Sequence, residues 1–181
     1  YTSTARPDRN HAIPLTLPIP FSHRDDLPIP PYLLGYWLGD GDSSGGTITT
    51  HVDDLPNLLN AVVSAGYTYS VTTTGQNPNV KRVSVYGLTT DLKSLNLYKN
   101  KHIPQAYLTA SIEQRQELLA GLIDSDGYIE SDKPVAEFCS VIPRLSEDVT
   151  HLLRTLGEKP VTKQSASYLY GVRPRDRYRT H

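Results

Sequence analysis

Apolar residues along the chain gather into two runs of similar shape, PYLLGYWLGDG from Pro31 and LLAGLIDSDG from Leu118. Each reads as a short buried helix that stops at an Asp-Gly pair, the first opened by Pro31 at a favourable first helical position. After the first run, GTITTH alternates like a strand, and LPNLLNAVVSAG has apolar spacing suited to a helix stopped by Gly66. TYSVTTTG and NVKRVSVYG, separated by Gln76, Asn77 and Pro78, predict a hairpin, and the pattern over Leu88 to Lys101 predicts another helix. After the second run the order recurs. GYIE and VAEFCSV read as strands, LSEDVTHLLRTLG as a helix stopped by Gly157, and VTKQSASYLYG with VRPRDRYRTH as a hairpin. Upstream, Pro7, Pro14, Pro18, Pro20, Pro28, Pro30 and Pro31 make the entry segment extended, with LTLPIPF as an edge or docking strand.

The recurrence holds at the level of residues. Placing Asp40 on Asp126, 86 positions apart, also aligns Leu33 with Leu119, Gly35 with Gly121 and Gly41 with Gly127. This internal repeat predicts an α+β protein of two αβ lobes, residues 32–110 and 111–181, behind a Pro-rich extended linker or docking segment, 1–31. The first lobe lacks one strand between its motif helix and its second helix. Gly35 and Gly39 in one helix, and Ala120, Gly121 and Ser125 in the other, would let the two backbones approach along a shared seam.

A helix carries roughly half a negative charge at its C-terminal end, so Asp residues placed there sit in an unfavourable field. If the two helices pair about a pseudo-twofold axis, Asp40 and Asp126 converge together with two negative helix ends. That is a hard-oxygen environment of the kind Mg²⁺ favours, with the two aspartates as symmetric ligands and carbonyls and waters completing the shell. Taken singly, each Asp-Gly end also fits a plain turn in which Gly41 or Gly127 supplies a left-handed residue. Two rival motifs fail. DGDSSG from Asp40 matches the first six positions of an EF-hand loop, but the twelfth is His51 where a bidentate glutamate is required. GDSSGG lacks the spacing and partners of a serine-protease nucleophile.

Composition narrows the class further. With 181 residues, 38% of them hydrophobic, the chain can build one ordinary domain or two small lobes. Cys139 is the single cysteine, which excludes an intramolecular disulfide and a cysteine-built zinc site and points to a reducing compartment, the cytoplasm. No apolar run has the length of a membrane span. The net charge of −1 argues against a nucleic-acid binder, but its distribution argues the other way. Arg173, Arg175, Arg177 and Arg179 alternate, so a strand would carry all four on one face, as a basic stripe or as a charged edge that blocks aggregation. Cys139 and Trp37 read as packed residues, and the six histidines show no ligand spacing.

LLAGLIDSDG resembles the LAGLIDADG signature of homing endonucleases, with Ser125 in place of an alanine. LLGYWLGDG is similar to the first-copy variant of intein-borne members, and NKHIPQAYL resembles the segment that precedes their second motif. The likeness runs from about Leu33 to the C-terminus. It implies a pseudo-twofold monomer whose antiparallel sheets form a saddle over double-stranded DNA with a long target site, and which cleaves that DNA with two or more Mg²⁺ ions. By the resemblance Asp40 and Asp126 are catalytic metal ligands, Gly39 and Ser125 offer backbone carbonyls to the metal, and Lys101 is the basic residue near the attacking water. The lesser alternative for Lys101 is a lysine complementing a helix C-terminus. Asp124 aligns with Leu38 and is assigned to the turn.

Expected DNA contacts are Lys81, Arg82, Gln76, Asn77 and Asn79 in the first hairpin, and Lys163, Arg173, Arg175, Arg177 and Arg179 in the second. Tyr69, Tyr86, Tyr168 and Tyr170 are either groove contacts or sheet packing. No second-lobe counterpart of Lys101 is identified. Tyr1 and His181 are not splicing residues, so an intein splicing domain is expected elsewhere in a parent chain, with a replicative DNA helicase as host. The alternative function is a degenerate or maturase-like DNA- or RNA-binding domain without cleavage.

Overall fold

The computed structural model describes residues 16–75, 77–129, 135–169 and 172–181. The first lobe runs α1 (Pro31–Asp40), β1 (Thr47–His51), α2 (Leu55–Ser64), β2 (Thr68–Thr73), β3 (Val80–Tyr86) and α3 (Leu88–Ser94). A single turn, α4 (Gln105–Leu108), leads into the second lobe: α5 (Ile112–Asp126), β4 (Gly127–Ile129), β5 (Ala136–Ser140), α6 (Pro143–Thr155), β6 (Thr162–Leu169) and β7 (Val172–Thr180).

The two sheets are antiparallel and share one plan. The first has strand order β1-β3-β2, and the second has β4-β5-β7-β6. Matching β1 with β5, β3 with β7 and β2 with β6 leaves β4 as the extra edge strand. The strand that the first lobe lacks survives there as one bridge, Gly41 to Ile48, where the second lobe pairs Gly127 with Phe138.

The core lies between the α1/α5 pair and the sheets, and includes the fully buried Leu33, Leu34, Trp37, Leu58, Leu118 and Leu122. Alternation along the strands faces Ile48, Val83 and Val85 inward in one lobe and Phe138 and Thr180 in the other.

Three local expectations change. The helix expected over Leu88 to Lys101 ends at Ser94, because Asn96 adopts φ 56° and Leu97 N–H returns to the Leu92 carbonyl at 2.8 Å. This is a Schellman-type stop made by asparagine instead of glycine. The second motif helix begins at Ile112, well before the apolar run. There Ser111 and Gln114 form a reciprocal capping box.

Of LTLPIPF, the described residues 16–21 form no strand. They dock: Ile19 N–H donates to the Thr155 carbonyl at 2.9 Å, and the fully buried Arg115 donates to the carbonyls of Thr155 (2.7 Å), Ala110 (2.9 Å) and Ile19. Gln114 clasps the backbone N–H and carbonyl of Arg24, and Tyr107 does the same for the buried Ile29.

Candidate metal and nucleic-acid site

The seam between α1 and α5 is built on backbone contact. A Cβ added to Gly35 would lie 2.1 Å from the Leu118 carbonyl oxygen, and one added to Gly121 would lie 2.1 Å from that of Tyr32. Gly35 and Tyr32 each map onto Gly121 and Leu118 by the same 86-residue shift, so these are two copies of one contact about a pseudo-twofold axis. Gly39 and Ser125, also equivalent, meet each other on that axis: a Cβ on Gly39 would fall 2.0 Å from Ser125 Oγ and 3.3 Å from Asp126 Cβ.

Both helices therefore end side by side, and Asp40 and Asp126 are brought together. Neither helix has a basic residue in its last turn to offset its dipole. Burial, and then the neighbouring Asp126 carboxylate, push Asp40 up to about 7 against the pull of Lys101. Asp126 reaches solvent at its rim, yet the protein packed around it still raises its pKa, again opposed by Lys101. A half-buried carboxylate, Asp40, and a more exposed one, Asp126, thus gather at two negative helix ends.

The glycines after the aspartates are not left-handed turn residues. Gly41 and Gly127 have φ −73° and −91°, values open to any residue. Glycine is needed for space, because the chain doubles back against its own helix. A Cβ on Gly41 would lie 2.2 Å from Trp37 Cδ1, and one on Gly127 2.5 Å from the Ile123 carbonyl oxygen. Asp42 is occupied locally, accepting from Ser44 N–H (2.9 Å) and Ser44 Oγ (2.8 Å), which accounts for DGDSSG as a turn. Asp124 is not a turn residue either. It lies within α5 and accepts from Tyr32 OH at 2.8 Å, tying the two motif helices together.

Lys101 supplies the missing cation. Its Nζ donates to the carbonyls of Leu38 and Gly39, each at 2.9 Å, and stands 5.2 Å from the centre of the Trp37 ring. Burial lowers its pKa to about 8 despite the acidic neighbours Asp126, Asp40 and Asp42. Trp37 is thus both core and platform, a double role that an apolar pattern cannot display. Lys101 and Asp126 line a cleft of about 320 Å³ whose far wall is Cys139, Ser140, Val141 and Ile142. Cys139 was legible only as a strand residue. The register of the second sheet places it at the cleft rim.

The sheets sort the expected DNA contacts. Arg82 stands on the open face of the first sheet between Thr49 and Thr72, whereas its neighbour Lys81 turns to the opposite face and donates to Thr73 Oγ1 at 3.1 Å. Tyr86 shares the open face and donates to Ser70 Oγ, while Tyr69 lies opposite the buried Val85. At the hairpin tip Asn77 Oδ1 accepts from Asn79 N–H, both residues being exposed; Gln76 lies outside the described residues. In the second sheet Cys139, Arg179 and Lys163 form one cross-strand row, and Arg177 follows opposite Ser165. Glu137 faces Arg179 at 3.3 Å, so part of the basic stripe is neutralised within the sheet. Arg173 and Arg175 lie in β7, but their side chains, like those of Tyr168 and Tyr170, fall outside the described residues.

Among the described residues no helix is long and apolar enough to cross a membrane.

A family profile described as homing endonuclease matches residues 102–169. The replicative DNA helicase DnaB of Mycobacterium intracellulare is 34% identical over 148 residues, covering 82% of this chain and 22% of the relative. The homothallic switching endonuclease of Saccharomyces cerevisiae is 30% identical over 170 residues, covering 75% of this chain and 28% of the relative. The chain therefore spans about a quarter of the length of these relatives.

Among solved structures, I-DmoI in complex with DNA and Mn superposes with a TM-score of 0.56 at 16% identity, covering 84% of this chain and 88% of that one. The N-terminal LAGLIDADG domain of DUF199/WhiA gives 0.51 at 13% identity, covering 82% and 75%. At such identities the likeness is one of fold, the α+β arrangement of paired motif helices and antiparallel sheets. Taken with the motifs and the sequence relatives, it leaves one assignment: the chain belongs to the LAGLIDADG homing endonuclease family.

Proposed function

We propose that this chain is the endonuclease portion of an intein-borne protein, hydrolysing phosphodiester bonds in double-stranded DNA at a long specific site. The observation that carries this reading is the convergence of Asp40 and Asp126 at the end of the glycine seam, where a divalent cation would offset their mutual repulsion without protonating either. The donor set fits Mg²⁺ or Mn²⁺: two carboxylates with nearby backbone carbonyls are all hard oxygen, and Mg²⁺ is commonly held by one or two carboxylates plus substrate phosphates. Among the described residues no third acidic, histidine or cysteine side chain completes a cage, which leaves room for a phosphate to do so.

Asp40 and Asp126 would hold the ions, with the Gly39 and Ser125 carbonyls beside them. When bound, divalent ions activate water and stabilise the phosphorane charge. Lys101, already at the cleft, would orient water toward the phosphate. Arg82, Arg177, Arg179 and Lys163 would contact the DNA backbone and base edges, and Asn77 and Asn79 would join them at the hairpin tip. Residues 1–31 would connect to a splicing domain in a longer parent chain, which the match to a DnaB helicase supports as host. The protein would act as a monomer in the cytoplasm, its two lobes, 32–110 and 111–181, supplying one aspartate each.

A second reading keeps DNA binding without double-strand cleavage. It draws on the one-sidedness of Lys101: among the described residues no lysine or arginine donates to the α5 carbonyls of Asp124 or Ser125. Incubating the wild type, Asp40→Asn and Asp126→Asn with a randomised DNA library and Mg²⁺ separates the two. Cleavage by the wild type alone supports the endonuclease, while tight, equal binding by all three with no cutting or nicking overturns it.

A further inference from the structure

We infer that Lys101 acts in the metal-free protein as a tethered stand-in for a divalent cation, holding the carbonyl end of α1 and weakening metal binding until it moves aside. The inference rests on the proposed metal site. It concerns what occupies that site beforehand, a role separate from orienting water.

The end of α1 has no cation of its own, and the ammonium that serves it comes from a residue 62 positions after Gly39. Its placement is built. Lys99 takes φ 52° and its N–H donates to the Ser43 carbonyl. On the far side the His102 ring and the Asn100 carbonyl lie 2.7 Å apart, and Ile103 N–H donates to Asp148 Oδ2 at 2.9 Å. Backbone pinned on both flanks leaves only the Lys101 side chain to choose a position. That side chain fills the carbonyl cradle with two hydrogen bonds and leans on the Trp37 ring.

One of the two acceptors is the Gly39 carbonyl, the same oxygen assigned to the metal. An ammonium and a dication cannot share that spot, because like charges a few ångströms apart in a partly desolvated site repel strongly. Metal entry therefore requires the ammonium to leave. Lys101 also lines the adjoining cleft of Cys139, Ser140, Val141 and Ile142, whose volume of about 320 Å³ is space into which the side chain would turn. Displacement carries the amine toward the open mouth of the site, where a phosphate would sit.

The test is a titration of the metal alone. Mn²⁺ is added to the full chain without DNA, and free Mn²⁺ is followed by its electron paramagnetic resonance signal for wild type, Lys101→Met, Lys101→Gln, Lys101→Arg and the Asp40→Asn/Asp126→Asn pair. Lys101→Met and Lys101→Gln should bind Mn²⁺ about tenfold more tightly than wild type, and Lys101→Arg, which keeps the charge, should stay close to wild type. In thermal unfolding, Lys101→Met should lose stability without metal and regain more of it with Mn²⁺ than wild type does. Lys101→Gln keeps a donor for the carbonyls, so it reports even if Lys101→Met does not fold. Equal or weaker Mn²⁺ binding by the neutral variants overturns the inference while leaving the metal site intact. Absence of any Mn²⁺ binding that the double Asp→Asn variant abolishes overturns the metal site as well.

Discussion

Replacing Gly121 by alanine tests the seam on which everything else depends. At an ordinary helix surface this change stabilises, by about 0.5–1 kcal/mol, because alanine has the better helix propensity. Here the new methyl would lie 2.1 Å from the Tyr32 carbonyl oxygen and 2.8 Å from the Tyr36 nitrogen. Ordinary contact begins near 3.4 Å, so the helices must part by more than an ångström, and no flexible side chain can yield in their place. Overpacking of this kind costs roughly 1–3 kcal/mol and sometimes more, and a backbone obstacle puts it at the upper end. After the propensity gain, a net loss of about 2 kcal/mol remains, which in a chain of this size lowers Tm by roughly 4–8 °C. Gly35→Ala, its symmetric counterpart, should behave alike. Gly39→Ala meets the Ser125 hydroxyl instead, so adding Ser125→Gly should recover most of its loss. Thermal and urea unfolding followed by circular dichroism measure all four. A Gly121→Ala protein as stable as wild type or more so would refute the close-packed seam.

Three further outcomes are expected. Asp40 binds its proton more tightly when folded, its pKa rising from near 4 to about 7, so the metal-free protein should lose stability as pH climbs from about 4 to 7. Asp40→Asn should flatten that slope in urea titrations run across the range, and an unchanged slope would assign the pH dependence elsewhere. Arg115→Met strips the cationic donor from the carbonyls of Ile19, Ala110 and Thr155 and should cost roughly 3 kcal/mol, with faster proteolysis in residues 16–30. Protection equal to wild type would show that the docked segment does not depend on Arg115. In DNA binding, Arg177→Ala should lower the slope of log affinity against log salt by about 0.9 if it meets one phosphate. Lys81→Ala, on the opposite face of its sheet, should leave the slope unchanged.

Much of the fold was legible because it repeats. The 86-residue shift that aligned Gly35 with Gly121 and Asp40 with Asp126 is the same shift that relates the seam contacts in space. Strands and hairpins followed from alternation and turn residues. The failures were local: Asn96 ended a helix where glycine would have been the stronger signal, and Ser111 with Gln114 started one before its apolar face began. Arg115 was illegible as a core residue, since a charged side chain is buried only when distant carbonyls converge on it.

What the sequence determined by itself was the pairing of two similar helices, each ending in an acid that its own dipole disfavours. Tertiary structure decided which groups answer those acids. Lys101 reaches the end of α1 because the peptide after α3 is pinned on both flanks, and Asp124 bonds Tyr32 because the glycines bring the helices into contact. Alternation along one strand divided Lys81 from Arg82, although they are adjacent and equally charged. Periodicity and propensity act between neighbours in the chain and can be read there. Electrostatic compensation acts through space between residues as far apart in sequence as Gly39 and Lys101, and only the folded path of the backbone brings them together.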